Sequence, residues 1–138
     1  MALRSLLIDT GPLVAYLDGA DPEHDKIAAS LGDFRGTLYT TGAVITEAMH
    51  LLKDDNKGPR RLAEFVHAAG VQVFESAQPR QLLAAVALIE KYSDTPMDFA
   101  DATLVLLSDE VGTNQILTLD LRGFRTFRTR KGKPFEIR

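Results

Sequence analysis

The sequence contains no cysteine and no tryptophan. Without thiols there can be no disulfide, thiolate zinc site or cysteine nucleophile, and the composition agrees with a reducing compartment. No stretch approaches the roughly 20 consecutive apolar residues that a membrane-spanning helix needs. The opening segment Met1-Ala2-Leu3-Arg4 runs into Ser5-Leu6-Leu7-Ile8-Asp9, which brings in a carboxylate too early for the apolar core of a secretory leader. A cytoplasmic location is the expectation. Neither a Gly-x-x-x-x-Gly-Lys phosphate loop nor a Gly-x-Gly-x-x-Gly turn occurs, and nothing suggests a Ser-His-Asp arrangement. Histidine is scarce too. His24, His50 and His67 are scattered, and Glu47 with His50 makes one Glu-x-x-His pair where a di-iron bundle uses two. Each is expected at the surface or half-buried.

What remains is an ordinary globular composition, 45% hydrophobic and 25% charged over 138 residues, which fits one domain spanning residues 1 to 138. The net charge of −3 conceals an asymmetry. Residues 121 to 138 hold seven Lys and Arg against one Glu, whereas residues 1 to 120 hold nine against eighteen acids. An acidic body does not exclude an RNA substrate, because carboxylates that hold divalent cations are neutralised by them.

The apolar stretch Leu3 to Ile8 reads as a buried strand ending at Asp9, with Gly11-Pro12 following. Helical spacing appears in Leu13, Val14 and Leu17. Asp21-Pro22 supplies an N-cap and first-turn proline for an amphipathic helix through Ile27, Ala28 and Leu31, which ends between Gly32 and Gly36. Leu38 to Thr41 is a second strand, and Val44, Ala48, Leu51 and Leu52 give the next helix an apolar stripe. Asp54 to Pro59 is a loop. A helix over Arg60 to Ala69 follows with Leu62, Phe65, Val66 and Ala69, then a strand over Val71 to Phe74, then a long helix through Leu82, Leu83, Val86 and Ile89. Thr95-Pro96-Met97-Asp98 opens a helix that ends near Gly112, and Ile116 to Leu119 is a strand stopping at Asp120. Beyond Gly123 the chain is basic and turn-rich, with Phe124, Phe127 and Phe135 as anchors and a short strand or hairpin at the end. Strands alternating with helices imply a three-layer α/β domain on a mostly parallel sheet, whose sites lie at the C-terminal ends of strands. Asp9 and Asp120 are expected there.

An acid at the end of a buried strand is expensive unless compensated, and two of them call for a cation. Glu47 stands among small and apolar residues of its helix. Asp98 and Asp101 are three apart and share a helix face. In Thr95-Pro96-Met97-Asp98 the hydroxyl occupies the expected N-cap and the carboxylate the third position, so Asp98 has a capping task. Asp101, one turn further in between Ala100 and Ala102, has no such task and is the stronger ligand candidate. Hard oxygen donors of this kind suit Mg²⁺, or Mn²⁺ in its place.

Leu6-Leu7-Ile8-Asp9-Thr10, Val44-Ile45-Thr46-Glu47-Ala48, Ala100-Asp101-Ala102-Thr103-Leu104-Val105 and Ile116-Leu117-Thr118-Leu119-Asp120 with Phe124 following closely resemble the PIN-domain family, in particular its VapC-type toxin ribonucleases. The resemblance spans nearly the whole chain. It implies a PIN-like three-layer α/β/α fold and a metal-dependent endoribonuclease, with Asp9, Glu47, Asp101 and Asp120 as the acidic quartet and Asp98 as an auxiliary. Thr10 and Thr118 match family hydroxyls that orient carboxylates and water. Gly11 departs from the pattern, since many members carry serine there. A homodimer and a small antitoxin that restrains the enzyme are further implications of the resemblance.

Other classes stay open. A strand-end Asp9 also suits covalent phosphoryl transfer, but haloacid-dehalogenase-type phosphatases usually carry a second Asp where this chain has Gly11. A non-catalytic PIN-fold binding module would show eroded acids, and all four are present. An RNA-processing nuclease outside toxin–antitoxin biology would share every motif. The tail residues Arg122, Arg125, Arg128, Arg130, Lys131 and Lys133 follow Asp120 directly and are the candidates for holding RNA phosphates beside the acids.

Overall fold

The computed structural model describes residues 4 to 138. Leu3, expected to open the first strand, lies outside the described residues. Five strands, β1 (Arg4–Ile8), β2 (Gly36–Thr41), β3 (Gln72–Phe74), β4 (Gln115–Leu117) and β5 (Glu136–Ile137), form one sheet in the order β3-β2-β1-β4-β5, and every pairing is parallel. Seven helices pack around it to give the three-layer α/β/α architecture: α1 (Thr10–Leu17), α2 (His24–Asp33), α3 (Gly42–Leu51), α4 (Gly58–Ala68), α5 (Pro79–Lys91), α6 (Phe99–Val111) and α7 (Leu121–Thr126). Among the described residues no helix is long and apolar enough to cross a membrane.

β1 is central because Leu6, Leu7 and Ile8 are wholly buried and so are sealed on both faces of the sheet. The chain winds outward from β1 through β2 to β3, then returns to place β4 on the other side of β1. The order of strands therefore reverses between β1 and β4, where open parallel sheets form their crevices.

Several boundaries differ from expectation for local reasons. Asp21 does not cap α2; its side chain accepts the N–H of Glu23 in a turn, and the helix begins at His24. α4 starts at Gly58, so Pro59 lies in its first turn rather than in the loop. Asp98, not Thr95, caps α6, because Asp98 is extended and accepts the N–H of Asp101. β4 ends at Leu117, and Asp120 instead opens the unexpected helix α7. Gly112, left-handed at φ 79, ends α6 as anticipated.

Apolar residues are left uncovered at two places on the helices. Leu51 is 54% exposed at the end of α3, and on α5 Leu82, Leu83 and Val86 are exposed while Ala85 is buried. The anchors of the tail behave as expected: Phe124, Phe127 and Phe135 are buried edge-to-face, with Phe124 about equidistant from Phe127 and Phe135 at 5.2 and 5.3 Å. Tyr92 packs on Phe127 and its hydroxyl accepts the N–H of Arg128, which fastens the tail to the body.

Candidate functional site

Asp9 immediately follows β1, and its position is fixed from three directions. Its backbone N–H donates to the carbonyl of Leu117 on β4. Its Oδ1 accepts the N–H of Thr10 at 2.7 Å, capping α1, and its Oδ2 accepts the hydroxyl of Thr118 at 2.7 Å. The same Thr118 oxygen accepts the N–H of Asp120, so one hydroxyl ties the two acids across the β1–β4 crevice. Thr10 makes a second link: its hydroxyl donates to Oε2 of Glu47 at 3.2 Å and joins Glu47 to the same group. A β-carbon at Gly11 would meet only the side chain of Leu119 at ordinary contact distance, so serine would fit there.

Three further threonines, which sequence reasoning passed over, hold the supporting helices in place. Thr40 donates to the carbonyl of Ile8, next to Asp9. Thr41 caps α3, the helix of Glu47, and shares a buried 2.8 Å hydrogen bond with Thr103 of α6, the helix of Asp101. The signal in the sequence was weak, since Thr40-Thr41 reads equally well as plain strand.

Asp98 and Asp101 form a reciprocal pair at the start of α6. The N–H of Asp101 donates to Oδ1 of Asp98 at 2.8 Å, and the N–H of Asp98 donates to Oδ2 of Asp101 at 3.2 Å. Asp101 therefore does have a structural task, as the third residue of a capping box. The expectation that it has none is corrected; both acids cap and both face the site.

Asp120 is exposed and caps α7 through the N–H of Gly123. A methyl group at position 123 would run into Oδ2 of Asp120 and the ring of Phe127. Gly123 is thus a supporting residue missed in the sequence, although the spacing Asp120-Leu121-Arg122-Gly123 carried the hint. The three histidines stay apart from the site's core: His24 is half-buried against the carbonyl of Ala15, and His50 and His67 are exposed.

The basic tail divides. Arg122 and Arg125 lie on α7 just after Asp120 and are exposed. Arg128 lies against the end of α7, where its Nη1 donates to the carbonyls of Arg125, Thr126 and Phe127. Arg130 pairs with Asp109 at 3.6 Å, and Lys131 and Lys133 line a small hollow with Ser108, Gly112 and Asn114. Those residues end α6, whereas Asp101 begins it; at about 1.5 Å per residue the two ends are roughly 16 Å apart. The expectation that Arg130, Lys131 and Lys133 flank the acids is corrected. After α7 the chain turns back along the sheet to enter β5 beside the start of β4, and carries these cations to the opposite end.

The acids share one field. Burial pushes the Asp9 carboxyl up to about 6, with Asp98 and Asp120 adding to the rise and the hydrogen bonds from Thr118 and Thr10 opposing it. Burial also pushes Asp101 up, to about 8, reinforced by the charges of Asp98, Asp9 and Asp120 and opposed by the N–H of Asp98. Among the described residues no three Asp, Glu or His side chains already stand close enough to cage an ion. The donor set is nonetheless all hard oxygen and carries surplus negative charge, which fits Mg²⁺ or Mn²⁺ and not a thiophilic metal.

Both carboxyls bind protons more tightly when folded than the ordinary value of 3.8 for an unfolded aspartate. Their contribution to stability is therefore greatest below pH 4 and falls as pH rises through 6 and 8, since the folded state then has to give up protons the unfolded state has already lost. Metal-free Asp9→Asn and Asp101→Asn proteins should melt higher than the parent at pH 8, on the order of 5 °C. The gap should close near pH 4. Thermal melts in EDTA at the two pH values check this; equal melting temperatures at pH 8 would refute the shared field.

The PIN domain family model matches residues 6 to 128. Ribonuclease VapC26 of Mycobacterium tuberculosis is 29% identical over 133 residues, which cover 96% of this chain and 98% of that protein. The crystal structure of Mycobacterium tuberculosis VapC20, a sarcin-ricin loop cleaving toxin, matches with a TM-score of 0.76 over 84% of this chain and 90% of that one, at 17% identity, a likeness of fold. With the acids gathered at the sheet's crevice and the family's motifs in order along nearly the whole chain, the chain belongs to the PIN domain family.

Proposed function

We propose that this protein is a Mg²⁺- or Mn²⁺-dependent endoribonuclease that hydrolyses RNA phosphodiester bonds, and that it is the toxin of a toxin–antitoxin pair. The observation that carries the reading is the convergence of Asp9, Asp98, Asp101 and Asp120 in one electrostatic field at the β1–β4 crevice. The VapC-type relatives support the choice of RNA and of the toxin role.

In this reading Asp9 and Asp101 hold the metal directly, Glu47 and Asp120 complete the cluster directly or through water, and Asp98 assists. A bound divalent cation supplies Lewis acidity toward the phosphoryl group and its attacking water. The chain does the rest by orientation. Thr118 and the N–H of Thr10 each engage one oxygen of Asp9, so the carboxylate is held against rotation. Thr10 holds one oxygen of Glu47 and leaves the other to accept a proton from water. Gly123 fixes one oxygen of Asp120 in the same way.

Two partner readings belong to the proposal. The exposed Leu82, Leu83 and Val86 of α5 offer an apolar face for a homodimer. The acidic crevice is a socket for the arginine of an antitoxin, which can pair with carboxylates in place of metal.

Incubating purified protein with cellular RNA in Mg²⁺, Mn²⁺ or EDTA, and mapping the cut ends, tests metal, reaction and substrate together. Asp9→Asn and Asp101→Asn should each lower cleavage by at least about 100-fold, in line with loss of a metal ligand's support. Asp98→Asn should lose far less, because Asn caps a helix about as well as Asp. Near-parental cleavage by the Asp9 or Asp101 variant would remove that residue from the site.

RNA binding in Ca²⁺ should weaken with salt. Arg122→Gln and Arg125→Gln should each flatten the slope of log affinity against log salt by roughly 0.7, whereas Lys131→Gln and Lys133→Gln should leave it unchanged. The reverse pattern would move the RNA path to the far end of α6.

A further inference from the structure

The acid cluster opens on one side into a hollow of about 570 Å³ between α3 and the start of α6. Ala43, Thr46, Glu47 and His50 form its α3 wall, and their spacing places all four on one helix face. Asp98, Phe99 and Ala100 form the opposite wall. Glu47 and Asp98 therefore belong both to the cluster and to the hollow. Phe99 is half-buried, and it also borders a second, smaller hollow with Glu75 and Ser76.

Resting on the ribonuclease reading, we propose that this hollow seats a nucleobase of the RNA next to the scissile phosphodiester, with the ring of Phe99 as its stacking platform. The chemistry of the walls selects that part of a nucleotide. No lysine or arginine lines the hollow, and the carboxylates of Glu47 and Asp98 repel a phosphate. A base is neutral. Its faces are apolar and match Phe99, Ala43 and Ala100; its edge carries donors that match the hydroxyl oxygen of Thr46, whose own proton goes to the Gly42 carbonyl, and donors and acceptors that match the imidazole of His50 on the rim. A partner's aliphatic side chain would use the apolar walls but leave that polar rim without a match. Because the hollow borders the acids, the base it takes belongs to a nucleotide flanking the cut, and it contributes to cut-site choice.

The test uses short single-stranded RNAs that carry 2-aminopurine at successive positions around the mapped cut, bound to the protein in Ca²⁺. Fluorescence should be quenched most strongly at one flanking position. Phe99→Leu, which keeps the apolar volume, should abolish that quenching and weaken binding roughly 5- to 150-fold, the worth of one stacked base. In Mg²⁺ it should raise KM with kcat nearly unchanged. Ala43→Leu fills the hollow from α3 without touching the α6 cap and should do the same, while Phe99→Tyr should restore both quenching and KM. Parental quenching and KM in Phe99→Leu and Ala43→Leu would overturn the proposal and leave the hollow to a protein partner. Wild-type protein that binds RNA but cleaves none would refute the ribonuclease reading, and 2-aminopurine stepped along the whole bound RNA would still decide the hollow. Protein that binds no RNA overturns both.

Discussion

Asp9 is the point on which the site turns. It is 7% exposed, its N–H is bonded to β4, one carboxylate oxygen caps α1 and the other is held by Thr118. A buried carboxylate so constrained cannot swing toward solvent when its neighbours are charged. It must stay where burial and repulsion push its proton affinity up to about 6. Everything else in the crevice is arranged around that fixed charge, including the links through Thr118 to Asp120 and through Thr10 to Glu47.

Like charges do not gather unaided, and here helix ends gather them. Asp9 caps α1, Asp98 caps α6 with Asp101 at its third position, and Asp120 caps α7. Each carboxylate accepts backbone N–H groups at a helix N-terminus, where the helix dipole also favours negative charge. Capping offsets part of the repulsion and fixes the geometry. It does not remove the repulsion, as the rise of Asp101 to about 8 records. The residual repulsion of the field is what a divalent cation is suited to relieve.

Much of this was legible in the sequence because it is local. A buried strand ending in Asp9, a helix carrying Glu47 among small residues, and a mostly parallel sheet follow from hydrophobic runs and turn residues; that every strand pairing is parallel is seen only in the fold. Asp101 was selected for a reason that does not hold: it has a capping task after all, and the expected cap at Thr95 gives way to Asp98. The basic tail was misplaced because sequence distance from Asp120 says nothing of direction. Only the return of the chain through Arg128 to β5 carries Lys131 and Lys133 to the other end of α6. The Thr41–Thr103 bond joins residues 62 positions apart, and its signal in the sequence was too weak to read.

The central claim is that the crevice acids bind a divalent cation and give up protons in doing so. Calorimetric titration of Mn²⁺ into the protein at pH 7, in two buffers of different ionisation enthalpy, measures both at once. Binding should be saturable with release of about one proton per ion, chiefly from Asp101, and both binding and release should be lost in Asp101→Asn. Binding without proton release, or undiminished binding by Asp101→Asn, would contradict it.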